Sequence, residues 1–304
     1  MLNAYLESTR DLKTILDFYR FGVSAANQAE LYYGHGTDNA LDDIWSLMMG
    51  SLFLPFDTDE SFYSARLTAD EKQFLASQLA KRILHRIPVP YLIHEARFCD
   101  LAFYVDERVL IPRSPLAELI HQQFSPWVNA DEVTSILDIC TGSGCIAIAC
   151  AMAFPEALVD AVDISMDALD VAAINREKFQ LEEQLTLIQS DCFTEVPKAR
   201  YDIIVSNPPY VGREEMQTLP KEYQHEPSIA LEASNNGLAI VEKILYTASE
   251  YLTDTGILVI EVGNSETALI TEYPTVPFVW LDFENGGQGV FLLTAADVKT
   301  FFQR

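Results

Sequence analysis

The 304-residue chain predicts an α/β protein: a seven-stranded, mostly parallel sheet with helices on both faces, closed by an antiparallel hairpin and preceded by a small helical domain. Three observations carry that expectation. Residues 1 to about 95 place apolar side chains at three- and four-residue intervals; from Thr134 onward apolar strands alternate with helical patterns; and the last two strands are joined too closely for a crossover helix.

The helical part consists of DLKTILDFYRFGVSAANQAEL, ALDDIWSLMMGSLF and TADEKQFLASQLAKRILHRI. Thr68, three residues before Glu71, gives the third segment a capping-box start, and Pro88 and Pro90 are expected to stop it. These signals divide the chain into a helical domain at 1–95, a linker at 96–114 and an α/β domain at 115–304. In the linker, Leu101 to Tyr104 and Val109 to Ile111 flank an Asp-Glu-Arg turn, which predicts a hairpin. IPRSP then leads into a helix from Leu116 to Phe124. Strands are expected at Ile136 to Cys140, Leu158 to Val162, Leu185 to Gln189, Tyr201 to Ser206, Ile257 to Val262, Phe278 to Phe283 and Val290 to Leu293. Helices are expected at Cys145 to Ala153, Met166 to Phe179, Leu238 to Leu252 and Glu266 to Glu272. FVWLDFENGGQGVFLL joins the last two strands through Asn285, Gly286 and Gly287, so they must pair antiparallel. Dehydrogenase domains normally continue with parallel units, whereas this ending resembles that of S-adenosylmethionine-dependent methyltransferases.

Composition narrows the field. With 49% hydrophobic and 21% charged residues, the chain has the make-up of a soluble globular protein. Every apolar run is interrupted well short of the roughly 20 residues a membrane helix needs. MLNAYLESTRDLK carries acidic residues and no apolar signal core, which points away from secretion and toward the cytoplasm. The five cysteines are odd in number and scattered, in keeping with a reducing compartment. Cys140, Cys145 and Cys150 fall five apart, but no CxxC or nearby histidine completes a ligand set, so no metal is expected. Twenty basic against 45 acidic residues give a net charge of −25, which repels phosphate backbones and attracts basic proteins. Direct nucleic-acid binding is therefore not expected.

ILDICTGSGCIAIA, Ile136 to Ala149, reads as a strand, a glycine turn and a helix start. Gly142, Gly144 and Ala147 satisfy G-x-G-x-x-G/A, a pattern that lets a ligand approach backbone N–H groups without meeting a Cβ. Asp163 ends the next strand about 20 residues on, where a carboxylate can take both ribose hydroxyls; no basic residue follows to hold a 2′-phosphate. Asp191, after the third strand, can accept from an adenine amino group. Either aspartate can instead cap a following helix. Asp138 can receive N–H groups of the glycine turn or face a cationic cofactor.

SNPPYVG, Ser206 to Gly212, closes the fourth strand at the same edge. The prolines fix φ and hold their neighbours extended, so Asn207, Pro208 and Pro209 form a stiff bracket of acceptors. A planar NH2 group can place one hydrogen on the Asn207 side-chain oxygen and the other on the Pro208 carbonyl, with Tyr210 stacked on its face. Such a site suits a nitrogen whose lone pair is delocalised. Holding both hydrogens turns that lone pair toward an electrophile and stabilises the positive charge that grows on nitrogen.

ILDICTGSGCIAIA, AVDIS and SNPPYV, with their spacing, resemble the protein-(glutamine-N5) methyltransferases, the HemK-like family, which methylate a glutamine side-chain amide. FYVDERVLIPRSPLAELI, EYQHEPSIAL, EVGNS and ENGGQGVFLL narrow the resemblance to the branch acting on large-subunit ribosomal protein L-three, over nearly the whole chain. The sister branch, acting on peptide-chain release factors, typically has a proline where this chain has Ser114. The resemblance implies a Rossmann-like class I methyltransferase fold with S-adenosylmethionine as cofactor and S-adenosylhomocysteine as product. It implies cofactor contacts from Thr141, Gly142, Ser143, Gly144, Cys145, Asp163 and Asn207, and a glutamine held by Asn207, Pro208, Pro209 and Tyr210. Glu226 and Pro227 are expected on the substrate side. Where the family often has an aromatic residue near Asp191, this chain has Cys192, with Phe193 as a substitute against the adenine. The implied partner is a basic ribosomal protein, and a helical module such as 1–95, read as a substrate-recognition domain, commonly serves as substrate platform or oligomer contact. NPPY-like tetrapeptides also occur in nucleobase methyltransferases, a reading the acidic charge disfavours.

Overall fold

The computed structural model describes Tyr5 and residues 7–303. It divides into two compact units, one of residues up to Ala96 with Pro220–His225, the other of Arg97–Leu219 with Glu226 onward.

In the first unit, α1 (Ile15–Gln28), α2 (Ala40–Ser51) and α3 (Ala69–His85) bury Phe18, Ile44, Leu47, Met48, Leu75 and Leu79 against one another. Each helix starts on a side-chain cap. Thr14 and Asp17 form a capping box, Asn39 accepts the Asp42 N–H, and Thr68 with Glu71 forms the box the sequence predicts. Arg82 of α3 is almost fully buried, which is tolerable because its guanidinium is paired. Its Nε donates to Asp43 at 2.8 Å, its Nη2 donates to the Tyr32 carbonyl at 3.1 Å, and Glu222 lies 3.7 Å away. The prolines act differently from expectation. α3 ends with Arg86 in the left-handed region, and Pro88 and Pro90 open a further short helix, α4 (Val89–Ile93), where a proline's missing N–H costs nothing.

The linker hairpin lies earlier than predicted. β1 (Ala96–Phe98) and β2 (Leu101–Phe103) pair around Cys99 and Asp100, both at positive φ as a tight two-residue turn requires. The Asp-Glu-Arg segment is a local loop in which the Asp106 carboxylate accepts from the Arg108 backbone and guanidinium, and Val109–Ile111 forms no strand. α5 (Leu116–His121) stops short of Phe124 because Gln123 and Phe124 adopt left-handed φ.

The main sheet contains β3 (Ser135–Ile139), β4 (Leu158–Asp163), β5 (Leu185–Gln189), β6 (Tyr201–Ser206), β7 (Leu252–Glu261), β8 (Val279–Trp280) and β9 (Val290–Thr294). Their order is β5-β4-β3-β6-β7-β9-β8. The first five run parallel, β9 runs antiparallel to β7, and β8 antiparallel to β9. The predicted last pair is thus present, although β8 keeps only two of its expected six residues. α6 (Cys145–Ala153), α7 (Met166–Lys178), the short α8 (Arg213–Met216), α9 (Ala239–Ala248), α10 (Glu266–Glu272) and α11 (Ala295–Phe302) complete the element order. Alternate strand residues feed two cores. Ile136, Ile203, Val205, Val259 and Leu292 pack with α6, while Leu137, Ile139, Ile204, Leu258 and Ile260 pack with Val241, Ile244 and Leu245 of α9 and Val298 and Phe302 of α11. Truncating one of these to alanine costs about 2–5 kcal/mol. α11 lies beyond the elements expected from the sequence, although Thr294 and Asp297 form the same capping box as Thr68 and Glu71. The chain reverses direction across the sheet between β4 and β6, on either side of β3. Ligands of such sheets bind at the carboxyl ends of the strands beside that reversal.

Candidate active site

β3 ends in a turn held open by left-handed residues: Cys140 at φ 63°, Gly142 at 55° and Gly144 at 80°. The two glycines answer different needs. A Cβ on Gly144 would press to 3.2 Å on Ala172 of α7, so that glycine lets helix and turn pack, whereas nothing lies within 4 Å of the place a Cβ on Gly142 would take. Gly142 thus leaves backbone open at the sheet edge.

Two carboxylates brace this turn. Asp138 is wholly buried; its Oδ2 accepts the Thr141 hydroxyl at 2.6 Å and the Ala147 N–H at 3.1 Å, while its Oδ1 has no partner among the described residues. Burial pushes its pKa up to about 7 against those two hydrogen bonds. Asp163, at the end of β4, accepts the Gly142 N–H on Oδ2 and the Ser165 N–H on Oδ1, both at 2.9 Å, and burial raises its pKa. The helix that follows is capped by Ser165, whose Oγ accepts the Ala168 N–H, so Asp163 is not the cap. Thr141, Ser143 and Cys145 are buried around the turn. Asn175, fully buried on α7, donates to the Ser143 carbonyl at 2.9 Å and holds both the N–H and the carbonyl of Tyr104, tying the turn to the segment after β2.

Asp191 follows β5, half exposed, and its carboxylate is ion-paired with Lys243 of α9 at 2.7 Å. Lys243 is a neighbour that sequence order alone does not place. Cys192 is buried at φ 53°. Phe193 is not free to cover a base, since its ring is buried and stacked on Tyr251 at 4.7 Å.

At the end of β6, Ser206 donates to the carbonyl of Ile139 at 2.6 Å, fastening this strand's end to the start of the glycine turn. Asn207 follows, half-buried, and neither its side chain nor the Pro208 carbonyl has a hydrogen-bond partner among the described residues. Pro209 is half-buried. Beyond them Val211 bridges to the 231–233 segment by two backbone hydrogen bonds of 2.9 Å. Tyr210 donates its hydroxyl to Glu261 Oε1 at 2.9 Å, and its carbonyl accepts the Ser265 hydroxyl at 2.8 Å.

Glu226 corrects an expectation. Its side chain is fully buried and grips Arg113 through both oxygens, at 2.6 and 2.8 Å, while Oε1 also accepts the Ile111 N–H. It anchors the segment before Ser114 and is not an open substrate contact. Glu261 and Ser265, the two ends of EVGNS, are thus neighbours of Tyr210, a contact to which the motif by itself assigns no role.

The arrangement suits a nucleoside that carries positive charge. Gly142 leaves room against backbone, Asp138 keeps a buried oxygen unpartnered, and Asp163 adds a second carboxylate beside it. Among the described residues, no group of histidines, cysteines and carboxylates could hold a metal ion, and no helix is long and apolar enough to cross a membrane.

The parallel sheet with its antiparallel end and a glycine turn at the reversal point defines a class I methyltransferase domain, and the family model "Methyltransferase small domain" matches residues 121–223. The chain is 43% identical over 302 residues to the ribosomal protein uL3 glutamine methyltransferase of Francisella tularensis, covering 97% of this chain and 96% of that one. It is 45% identical over 289 residues to the enzyme of that name from Neisseria meningitidis, covering 95% of each. It therefore belongs to the family of ribosomal protein uL3 glutamine methyltransferases. Among solved structures it is similar to a methyltransferase from Pyrococcus furiosus, with a TM-score of 0.47 and 17% identity over 64% of this chain and 88% of that one.

Proposed function

We propose that this enzyme transfers a methyl group from S-adenosylmethionine to the side-chain amide nitrogen of a glutamine in uL3, the large-subunit protein L-three. The observation that carries this reading is the pair of unused acceptors, Asn207 Oδ1 and the Pro208 carbonyl, on a strand end fastened to the glycine turn by Ser206. S-adenosylmethionine supplies an electrophilic methyl group on a sulfonium. Thr141, Gly142, Ser143, Gly144, Cys145 and Asp163 would hold it, with Asp191 and Cys192 at the adenine end and Asn207 at the methyl end.

The chain's own residues do the rest. Asn207 and Pro208 each accept one amide N–H, which fixes the plane of the glutamine amide. Pro209 keeps the bracket stiff, and the Tyr210 face lies beside the nitrogen that becomes positive. An amide nitrogen is a poor nucleophile because its lone pair belongs to the π system. Acceptors that bind its hydrogens more tightly as charge grows act on the transition state more than on the ground state. As the N–CH3 bond forms the S–CH3 bond breaks, and the proton, acidic only then, passes from the nitrogen to water.

The test is to incubate the purified enzyme with labelled S-adenosylmethionine and, separately, uL3, a release factor and naked ribosomal RNA, then locate the methyl group by mass spectrometry. We expect label on one glutamine of uL3 alone; label on RNA with unlabelled protein overturns the reading. Asn207→Ala is expected to lower transfer roughly a hundred- to a thousand-fold while cofactor binding, measured calorimetrically, is largely kept.

A further inference from the structure

The strand that ends beside Tyr210 carries a residue whose presence the fold alone does not explain. Ile257, Leu258, Val259 and Ile260 of β7 are buried core positions, and the next residue, Glu261, is 5% exposed. An apolar side chain would serve packing there, and a buried carboxylate is costly unless its oxygens are bonded. Glu261 makes no ion pair within 4 Å among the described residues, and the neighbouring Arg113 is engaged by Glu226. Its oxygens are met by two hydroxyls instead. Ser114 Oγ donates to Oε2 at 2.5 Å, and Tyr210 donates to Oε1 at 2.9 Å. Ser114 is itself oriented, because its Oγ accepts the Leu116 N–H at 3.1 Å. The chain of donors therefore has one direction: Leu116 N–H to Ser114, then Ser114 and Tyr210 to the carboxylate.

We propose that Glu261, supported by Ser114, is a positioning residue that acts through the Tyr210 hydroxyl to hold the Asn207–Pro208–Pro209 bracket in its methyl-accepting geometry. The inference rests on the proposed function in taking that bracket as the substrate clamp. Tyr210 is then held at three points: its hydroxyl by Glu261, its carbonyl by Ser265, and its ring against Gly263, where a Cβ would come within 2.6 Å of the ring. Prolines stiffen the bracket internally but do not orient it, since they have no N–H to anchor. Ser206 fastens the bracket at its near end, and Tyr210, the residue after Pro209, fastens it at its far end. A phenol that donates to a carboxylate is also polarised, which puts more electron density on its ring face. That face is the one offered to a nitrogen gaining positive charge.

A double-mutant cycle tests this. E261Q, Y210F and E261Q/Y210F are assayed for kcat, for KM toward uL3 and S-adenosylmethionine, and for amide hydrogen exchange at Asn207 and Tyr210–Gly212. We expect each single variant to lose about tenfold in kcat with KM for S-adenosylmethionine nearly unchanged. The double variant should lose no more than either single one, because E261Q removes the charge that holds the Tyr210 hydroxyl and Y210F removes that hydroxyl, so both weaken the same contact. Exchange over 207–212 should rise in both single variants. Multiplicative losses in the double variant, or an E261Q enzyme with unchanged kcat and exchange, overturn the proposal. If E261Q does not fold, Y210F reads the same contact from its other end. A wild-type enzyme that leaves uL3 unmethylated refutes the proposed function; the exchange measurement still decides whether Glu261 orders this segment.

Discussion

At Asp138, burial and hydrogen bonding pull in opposite directions, and burial wins. The carboxyl titrates at about 7 in the folded protein, against an ordinary value of 3.8 when exposed. Between those values the folded state carries a proton that the unfolded state has lost. The contribution is therefore fully present below the unfolded pKa and is lost as pH rises through the folded one. Asp138→Asn keeps an acceptor for Thr141 and Ala147 but cannot ionise. Its stability relative to wild type should improve by roughly 2 kcal/mol between pH 5 and pH 8, since a tenfold change in a protonation equilibrium is worth about 1.4 kcal/mol. Urea midpoints at the two pH values check this, and parallel curves for the two proteins would count against it. The glycine turn is readable from its spacing, as is an aspartate at its base. That one oxygen of this aspartate stays unpaired depends on what packs over it.

The segment from β7 to α10 is an element whose backbone serves a neighbouring residue. Gly263 sits at φ 45° with Tyr210 against it, and it is followed closely by Ser265, which binds the Tyr210 carbonyl. Gly263→Ala combines a left-handed backbone with a Cβ 2.6 Å from an aromatic carbon. We expect about 2 kcal/mol of destabilisation, or a displaced ring that lowers methyl transfer at least tenfold with cofactor binding kept. Thermal melts and methylation assays on the same preparation separate the two outcomes. Elements differ in how plainly the sequence announces them. The Thr68–Glu71 box marks α3 within a long periodic segment, whereas the equal box at Thr294–Asp297 opens only the eight-residue α11, too short for its period to stand out. The linker hairpin is displaced from its expected place because its turn uses Cys99 and Asp100 at positive φ, a conformation more readily expected of glycine or asparagine.

Across the whole molecule the dominant feature is charge: −25 on 304 residues. Such a field draws a basic protein partner in and is screened within about 10 Å at 0.1 M salt. KM for uL3 should rise about tenfold between roughly 50 and 300 mM sodium chloride, while KM for S-adenosylmethionine changes little. A salt-independent KM for uL3 would show that charge does not guide the encounter. Residues Pro220–His225 belong to the helical unit although the chain on either side of them belongs to the sheet unit. Glu222 lies in that unit beside Arg82 and Arg86. Four residues later, Glu226 is bound to Arg113 of the sheet unit. Nothing in EYQHEPSIAL distinguishes the two glutamates by composition.

The sequence by itself determined the strand and helix alternation, the antiparallel end of the sheet, the glycine turn, and the proline-restricted segment at Asn207–Pro209 that closes the fourth strand. Each of these is written in local periodicity, in residues with restricted φ, or in the length of a connection. Only the tertiary structure decided that Glu226 closes on Arg113, that Asp191 meets Lys243, that Phe193 stacks on Tyr251, and that Glu261 takes the Tyr210 hydroxyl. These partners lie 51 to 113 residues apart. Their meeting is set by how the sheet and its helices pack, and packing brings together side chains that no local pattern pairs in advance.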